Sequence, residues 1–190
     1  MGIEFFQSRM DYVYFVYGLV FVLLAAVCIS LRREKTTLLR WDWLALFGLF
    51  HGIHEWLNML VQSMDNSRPF ALIRLVSMVL SFLCLAEFGR SGIAAMRPGG
   101  PGRWVHLPLL VLAAMGGMAG MAGANAAARY ALGFTGALWA AWALFAAARR
   151  QQTGVYLFRT AAWAMGGYAL VAGLIPPSAA FIPASYINQE

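Results

Sequence analysis

The chain has 190 residues, of which 61% are hydrophobic and only 12% charged, with a mean hydropathy of +0.66 and a net charge of +6. A soluble domain carries about 25% charged residues, so this composition excludes a soluble protein and predicts an integral membrane one. The basic residues stand in short clusters between apolar stretches rather than on one soluble face, so they report topology, and no nucleic-acid partner is implied.

Residues Met1 to Asp11 carry Glu4 and Asp11 against Arg9, without the basic start and small-residue cleavage site of a signal peptide, so the first span is expected to stay in the mature protein. Six apolar stretches of about 20 residues, the length that crosses a bilayer as helix, then follow in order. They are predicted at 12–31, 41–62, 70–89, 104–122, 128–148 and 155–175. Lipid leaves no partner for an open strand edge, so all six are predicted as helices. The fold class is therefore all-α, one polytopic transmembrane bundle over residues 1–190. Cys28 and Cys84 fall inside the first and third stretches and read as buried thiols rather than a disulfide framework.

Arg32, Arg33, Lys35 and Arg40 follow the first stretch, Arg90, Arg97 and Arg103 the third, and Arg149 and Arg150 the fifth. The opposite side has Arg9, Arg68 and Arg129. The positive-inside rule puts the first group in the cytoplasm and both ends of the chain outside. Between the third and fourth stretches, Arg97-Pro-Gly-Gly-Pro-Gly-Arg103 is a turn-rich breaker, and beyond it Ala and Gly dominate. Gly116 and Gly120, with Ala119 and Gly123 one face over, have the spacing that lets helices approach closely. After the sixth stretch, Pro176 to Pro183 cannot continue a helix and reads as an external connecting or reentrant segment.

The second stretch contains His51-Gly-Ile-His54-Glu55-Trp-Leu-Asn58. At about 100° per residue, His51, His54, Glu55, Asn58 and Gln62 share one face. Ionisable groups at membrane depth mark a functional site by default. Three meanings stand: a ligand or metal site, a proton-responsive switch, or hydrogen bonds between helices. Arg74 on the third stretch is about as far from the connecting loop as Asn58, with Glu55 one turn deeper, so a Glu55 to Arg74 pair is within reach. The alternative for Arg74 is snorkelling to the headgroups.

For a metal, only His51 with Glu55 at i and i+4 is suitably spaced; the zinc protease and di-iron patterns are absent. For a haem, His106 lies too near its helix start to pair with His51, which leaves His51 or His54 with Met115 or Met118. Glu87, Arg159, Asp42 and His106 form a second polar group near the cytoplasmic ends, expected to fix helix termini. Trp41, Trp43, Tyr12, Tyr14, Trp104 and Tyr130 are expected as interfacial anchors. No nucleophile and base pair or open metal triad is visible, so this segment is not expected to be an enzyme.

The first ninety residues resemble the N-terminal membrane sensory region of bacterial diguanylate cyclases and sensor histidine kinases. The resemblance rests on Phe5-Phe6-Gln-Ser-Arg9-Met-Asp11-Tyr12, Tyr17-Gly18-Leu19, Ser30-Leu31-Arg32-Arg33, Leu46 through Leu57 and Ser81 through Arg90, with His51 to Trp56 the most specific part. It implies a multi-pass protein of the bacterial inner membrane, a homodimer, and a cytoplasmic PAS, GGDEF or kinase output domain in cis. An output domain needs an odd number of spans when the chain starts outside, so a seventh span beyond Glu190 is expected. The resulting expectation is a membrane-embedded input domain for signal transduction, as in two-component systems, sensing a small ligand or the membrane or redox state through His51, His54, Glu55, Asn58 and Arg74. It requires no cofactor. The alternative is a membrane anchor subunit of a respiratory complex that binds haem or quinone.

Overall fold

Residues 10–33, 38–61, 67–150 and 154–174 are described by a computed structural model, and they form helices with no strand among them. The first three are α1 (Met10–Leu31), α2 (Trp41–Val61) and α3 (Arg68–Met96). A 3-10 turn (Arg103–Val105) leads into α4 (His106–Gly116), and a second one (Gly117–Ala119) leads into α5 (Gly120–Ala128). A π-helical segment (Arg129–Phe134) joins α5 to α6 (Thr135–Ala148), and α7 (Val155–Leu174) follows. Among the described residues, four stretches are long and apolar enough to cross a membrane: Asp11–Leu31, Trp41–Val61, Arg68–Met96 and Arg103–Ala148. α7 has the length but carries Arg159, Thr160, Gly166 and Gly167, and is not among the four.

The first two helices lie where periodicity and loop charges place them. α3 starts at Arg68, with Ser67 as N-cap and a proline in the first turn, where its missing N–H costs nothing. It runs to Met96 rather than ending at Gly89, because Arg90 is neutralised along the helix by Glu87 instead of marking its end. At 29 residues it is about 44 Å long, well beyond a hydrocarbon core of about 30 Å.

The expected span at 104–122 is cut short. The backbone reverses through Gly117–Gly120, where Gly120 takes φ +80°, a left-handed value that favours glycine. α4 and α5 pack as a hairpin, so close that a Cβ on Gly116 would stand 2.5 Å from the Gly123 carbonyl oxygen. Gly116 and Gly123 thus serve close packing, as the small-residue spacing implies, whereas Gly120 is a turn residue and not part of a helix face.

α1 packs on α2, α2 on α3, α3 on α6, and α6 on α7, while α7 also meets the π-helical segment. Glycines set the closest approaches. A Cβ on Gly48 would lie 2.6 Å from the Phe21 carbonyl oxygen and one on Gly52 2.9 Å from that of Gly18, so α1 lies almost backbone to backbone on α2. On the other side, Gly89 faces the backbone of Trp139 and Ala140, and Gly136 that of Ala86. The alanine-rich second half supplies small buried residues to this seam, among them Ala137, Ala140 and Ala143, which is the tight packing its composition implies.

Candidate functional site

His51 sits where α1, α2, α3 and α7 converge. Its ring is enclosed by Phe21, Phe47, Phe82 and Tyr168, with centroids 4.5, 5.2, 5.4 and 6.0 Å away. The close α1–α2 contact at Gly48 and Gly52 brings Phe21 onto the imidazole. Only 3% of His51 and 1% of His54 is exposed, and Glu55 is buried beside them.

Hydrogen bonding fixes the two imidazoles. Ser81 Oγ donates to the Met78 carbonyl (2.7 Å), so it can only accept from His51 Nδ1 (3.0 Å). His51 Nδ1 therefore carries a proton, and Nε2 accepts from the Tyr168 hydroxyl (3.1 Å). His54 Nδ1 faces the Arg74 carbonyl (3.0 Å), an acceptor only, so it too is N–H. Asn58 accepts from Arg74 Nε at Oδ1 (2.9 Å), which makes Nδ2 the donor to His54 Nε2 (3.2 Å) and to Glu55 Oε2 (3.4 Å). Ser77 Oγ donates to the same Arg74 carbonyl (2.9 Å).

One edge of this network is underdetermined in protons. His51 Nε2 and Glu55 Oε1 are 3.5 Å apart, and with Nδ1 as the N–H each offers the other a lone pair. A single proton, on the carboxyl or on Nε2, converts that edge from repulsive to attractive. The Arg129 guanidinium, at the start of the π-helical segment, donates through Nε to Asn125 Oδ1 (2.8 Å). An apolar cavity of about 410 Å³ adjoins the network, lined among others by Phe21, Cys28, Trp41, Phe158 and Tyr168.

His51, His54, Glu55, Asn58 and Arg74 thus meet as their spacing implies, but the link from Glu55 to Arg74 runs through Asn58. Arg74 is half-buried and points into the bundle, which disfavours snorkelling as its role. Gln62 lies outside the described residues. Among the described residues, no three His, Cys, Asp or Glu side chains are grouped as a metal would need, so His51 and Glu55 gain no third ligand. Met115 and Met118 are 57% and 89% exposed, on a hairpin whose main contacts are with the π-helical segment and α3.

Ser77, Ser81 and Tyr168 are additional members that spacing arguments did not single out. Arg74, Ser77 and Ser81 at i, i+3 and i+7 form a polar stripe on the third stretch that was readable, while Tyr168 depends on tertiary packing alone. Of the second polar group, Glu87 and His106 do meet (2.8 Å), joined by Arg90, which holds both carboxylate oxygens of Glu87 (2.6 and 2.7 Å). Asp42 instead pairs with Arg32 (3.0 Å), and Arg159 is exposed on α7. Trp41 is buried against Phe88 and Phe158 and is no surface anchor, whereas Tyr12 and Trp104 are exposed as anchors should be.

No protein-family model matches the chain, and neither a curated protein nor a solved structure is similar to it.

Proposed function

We propose that this chain is the membrane-embedded input domain of a bacterial signalling protein, with the polar network around His51 as its responsive element. The observation that carries the reading is a pair of hydrogen-bonded runs, Arg74 on α3 to Asn58, His54 and Glu55 on α2, and Ser81 on α3 through His51 on α2 to Tyr168 on α7, which meet at the 3.5 Å edge between Glu55 and His51. A stimulus acts only by interacting differently with two states. The edge between His51 and Glu55 offers two such states, with and without its proton, and the Tyr168 hydroxyl hands the difference to α7. Six spans with both ends outside fit this scheme when Arg103–Ala119 and Gly120–Ala148 each cross and α7 is the sixth.

The test is signalling by the full-length protein in its own membrane. Alanine at His51, His54 and Glu55 together is expected to abolish the response at unchanged protein level. An unchanged response contradicts the assignment. A quinone-binding respiratory subunit is the second reading, favoured by the apolar cavity that ends at Tyr168, the residue bonded to His51. Quinone that co-purifies in stoichiometric amount and is lost in Tyr168→Phe would favour it over the sensor.

A further inference from the structure

A second cleft, of about 450 Å³, opens at the opposite end of α3 from Arg74, between the start of α2, the later turns of α3 and the start of α4. Its deeper wall is apolar, with Leu80 and Leu83, and its rim is polar, with Trp43, Glu87, Arg103 and His106. Two buried nitrogens of this rim, Trp43 Nε1 and His106 Nδ1, have no hydrogen-bond partner among the described residues. Buried polar atoms are paired in more than about nine cases in ten, so two on one cleft point to a ligand.

The charges of the rim are uneven. Glu87 is already held by Arg90 through both oxygens, and Arg90 is further tied to the Pro101 carbonyl (2.8 Å). Arg103 comes no closer to Glu87 than 4.0 Å and is 79% exposed at its side chain, so its positive charge is left over. His106 Nε2 donates to the Glu87 carboxylate (2.8 Å), which leaves Nδ1 as the ring's remaining hydrogen-bonding position. The rim therefore offers an N–H donor, a surplus cation and an imidazole nitrogen. The apolar wall runs from this rim toward the middle of α3.

We propose that this cleft binds one anionic glycerophospholipid. Its phosphate oxygens accept from Trp43 Nε1 and pair with Arg103, a headgroup hydroxyl hydrogen-bonds with His106 Nδ1, and an acyl chain lies along Leu80 and Leu83. The bilayer supplies such a molecule in the orientation the cleft needs, polar end at the helix ends and tail inward. A soluble phosphate ester shares the headgroup chemistry but leaves the apolar wall empty.

The test uses the full chain in mild detergent, exchanged into defined lipid and read by native mass spectrometry. The chain is expected to retain one phosphatidylglycerol about tenfold better than phosphatidylcholine, since a charge-assisted hydrogen bond with a second polar contact is worth about a factor of ten. Arg103→Gln, which removes the surplus charge, is expected to reduce that preference several-fold, and Trp43→Phe, which keeps the ring and removes the N–H to the phosphate, to weaken retention of both lipids several-fold. Phosphatidylmethanol, charged but without a hydroxyl, is expected to bind between the two lipids. Equal retention of phosphatidylglycerol and phosphatidylcholine, an undiminished preference in Arg103→Gln, or undiminished retention of both lipids in Trp43→Phe, overturns the proposal. Glycerol 3-phosphate binding alone and displacing the lipid also overturns it, in favour of a soluble ligand.

Discussion

Asn58→Leu removes the side chain that joins α2 to α3. Asn58 accepts from Arg74 Nε across the helix interface at 2.9 Å and donates to His54 Nε2 at 3.2 Å, while its 3.4 Å contact to Glu55 is too long to count for much. Side-chain hydrogen bonds between membrane helices contribute about 0.6 kcal/mol on average and up to about 1.7. The Arg74 bond is charge-assisted and belongs near the upper end, and the His54 bond near the mean. Leucine is a better helix former by about 0.5 kcal/mol, which offsets part of the loss. The expected destabilisation is about 1.5–2 kcal/mol, measured by reversible unfolding in mixed micelles followed by circular dichroism. A double-mutant cycle with Arg74→Met separates bridge from bulk, and a coupling of about 1 kcal/mol is expected for groups in direct contact. A loss below about 0.5 kcal/mol, or strict additivity with Arg74→Met, refutes the bridging role of Asn58.

Glu55→Gln offers the network an N–H and an oxygen in the same shape and is expected to stay within about 0.5 kcal/mol of the parent, whereas Glu55→Leu leaves buried polar partners unpaired and loses about 1–3 kcal/mol in the same unfolding assay. Nitrogen-15 NMR of histidine-labelled protein in nanodiscs is expected to report Nδ1–H at both His51 and His54; an Nε2–H tautomer at either contradicts the donor assignments. Gly89→Ala drives a methyl to 2.5 Å from Trp139 Cβ and 2.6 Å from the Ala140 nitrogen, so a loss of about 1–3 kcal/mol is expected, while Gly117→Ala meets nothing within 4 Å and serves as the control. Cys28 and Cys84, 1% and 7% exposed, are expected to react with a membrane-permeant maleimide only after unfolding, as mass spectrometry will show; rapid labelling of the intact protein contradicts their packing.

Much of the fold was legible because hydropathy and loop charge act locally. The ends of α1 and α2 follow from where apolar runs meet Arg32, Arg40 and the basic loop between them. Local signals misled at Arg90, which looks like a helix end when read alone. Only its bidentate contact with Glu87 lets the helix carry it on to Met96. They misled again at Gly120, whose spacing from Gly116 suits a helix face but whose positive φ makes it the turn of a hairpin. Small residues are ambiguous in sequence, since the missing side chain that permits helix contact also permits reversal.

The same division holds in the site. The polar face of α2 was readable because His51, His54, Glu55 and Asn58 share one helix, and Arg74 was placed by counting outward from a short loop. Tyr168 is separated from His51 by 117 residues, and no local pattern marks it. Met115 and Met118 match His51 in distance along the chain from the interface, but they are exposed on a hairpin whose main contacts are with the π-helical segment and α3.

The central claim is that this bundle is the input half of a signalling protein, and the most direct measurement is the intact mass of the native polypeptide in its source membrane, detected through an antibody to the segment from Arg32 to Arg40. A mass well above 20.8 kDa, with cytoplasmic sequence following the bundle, is the expected result. A mass near 20.8 kDa contradicts an output domain in cis and leaves the quinone-binding subunit as the better reading.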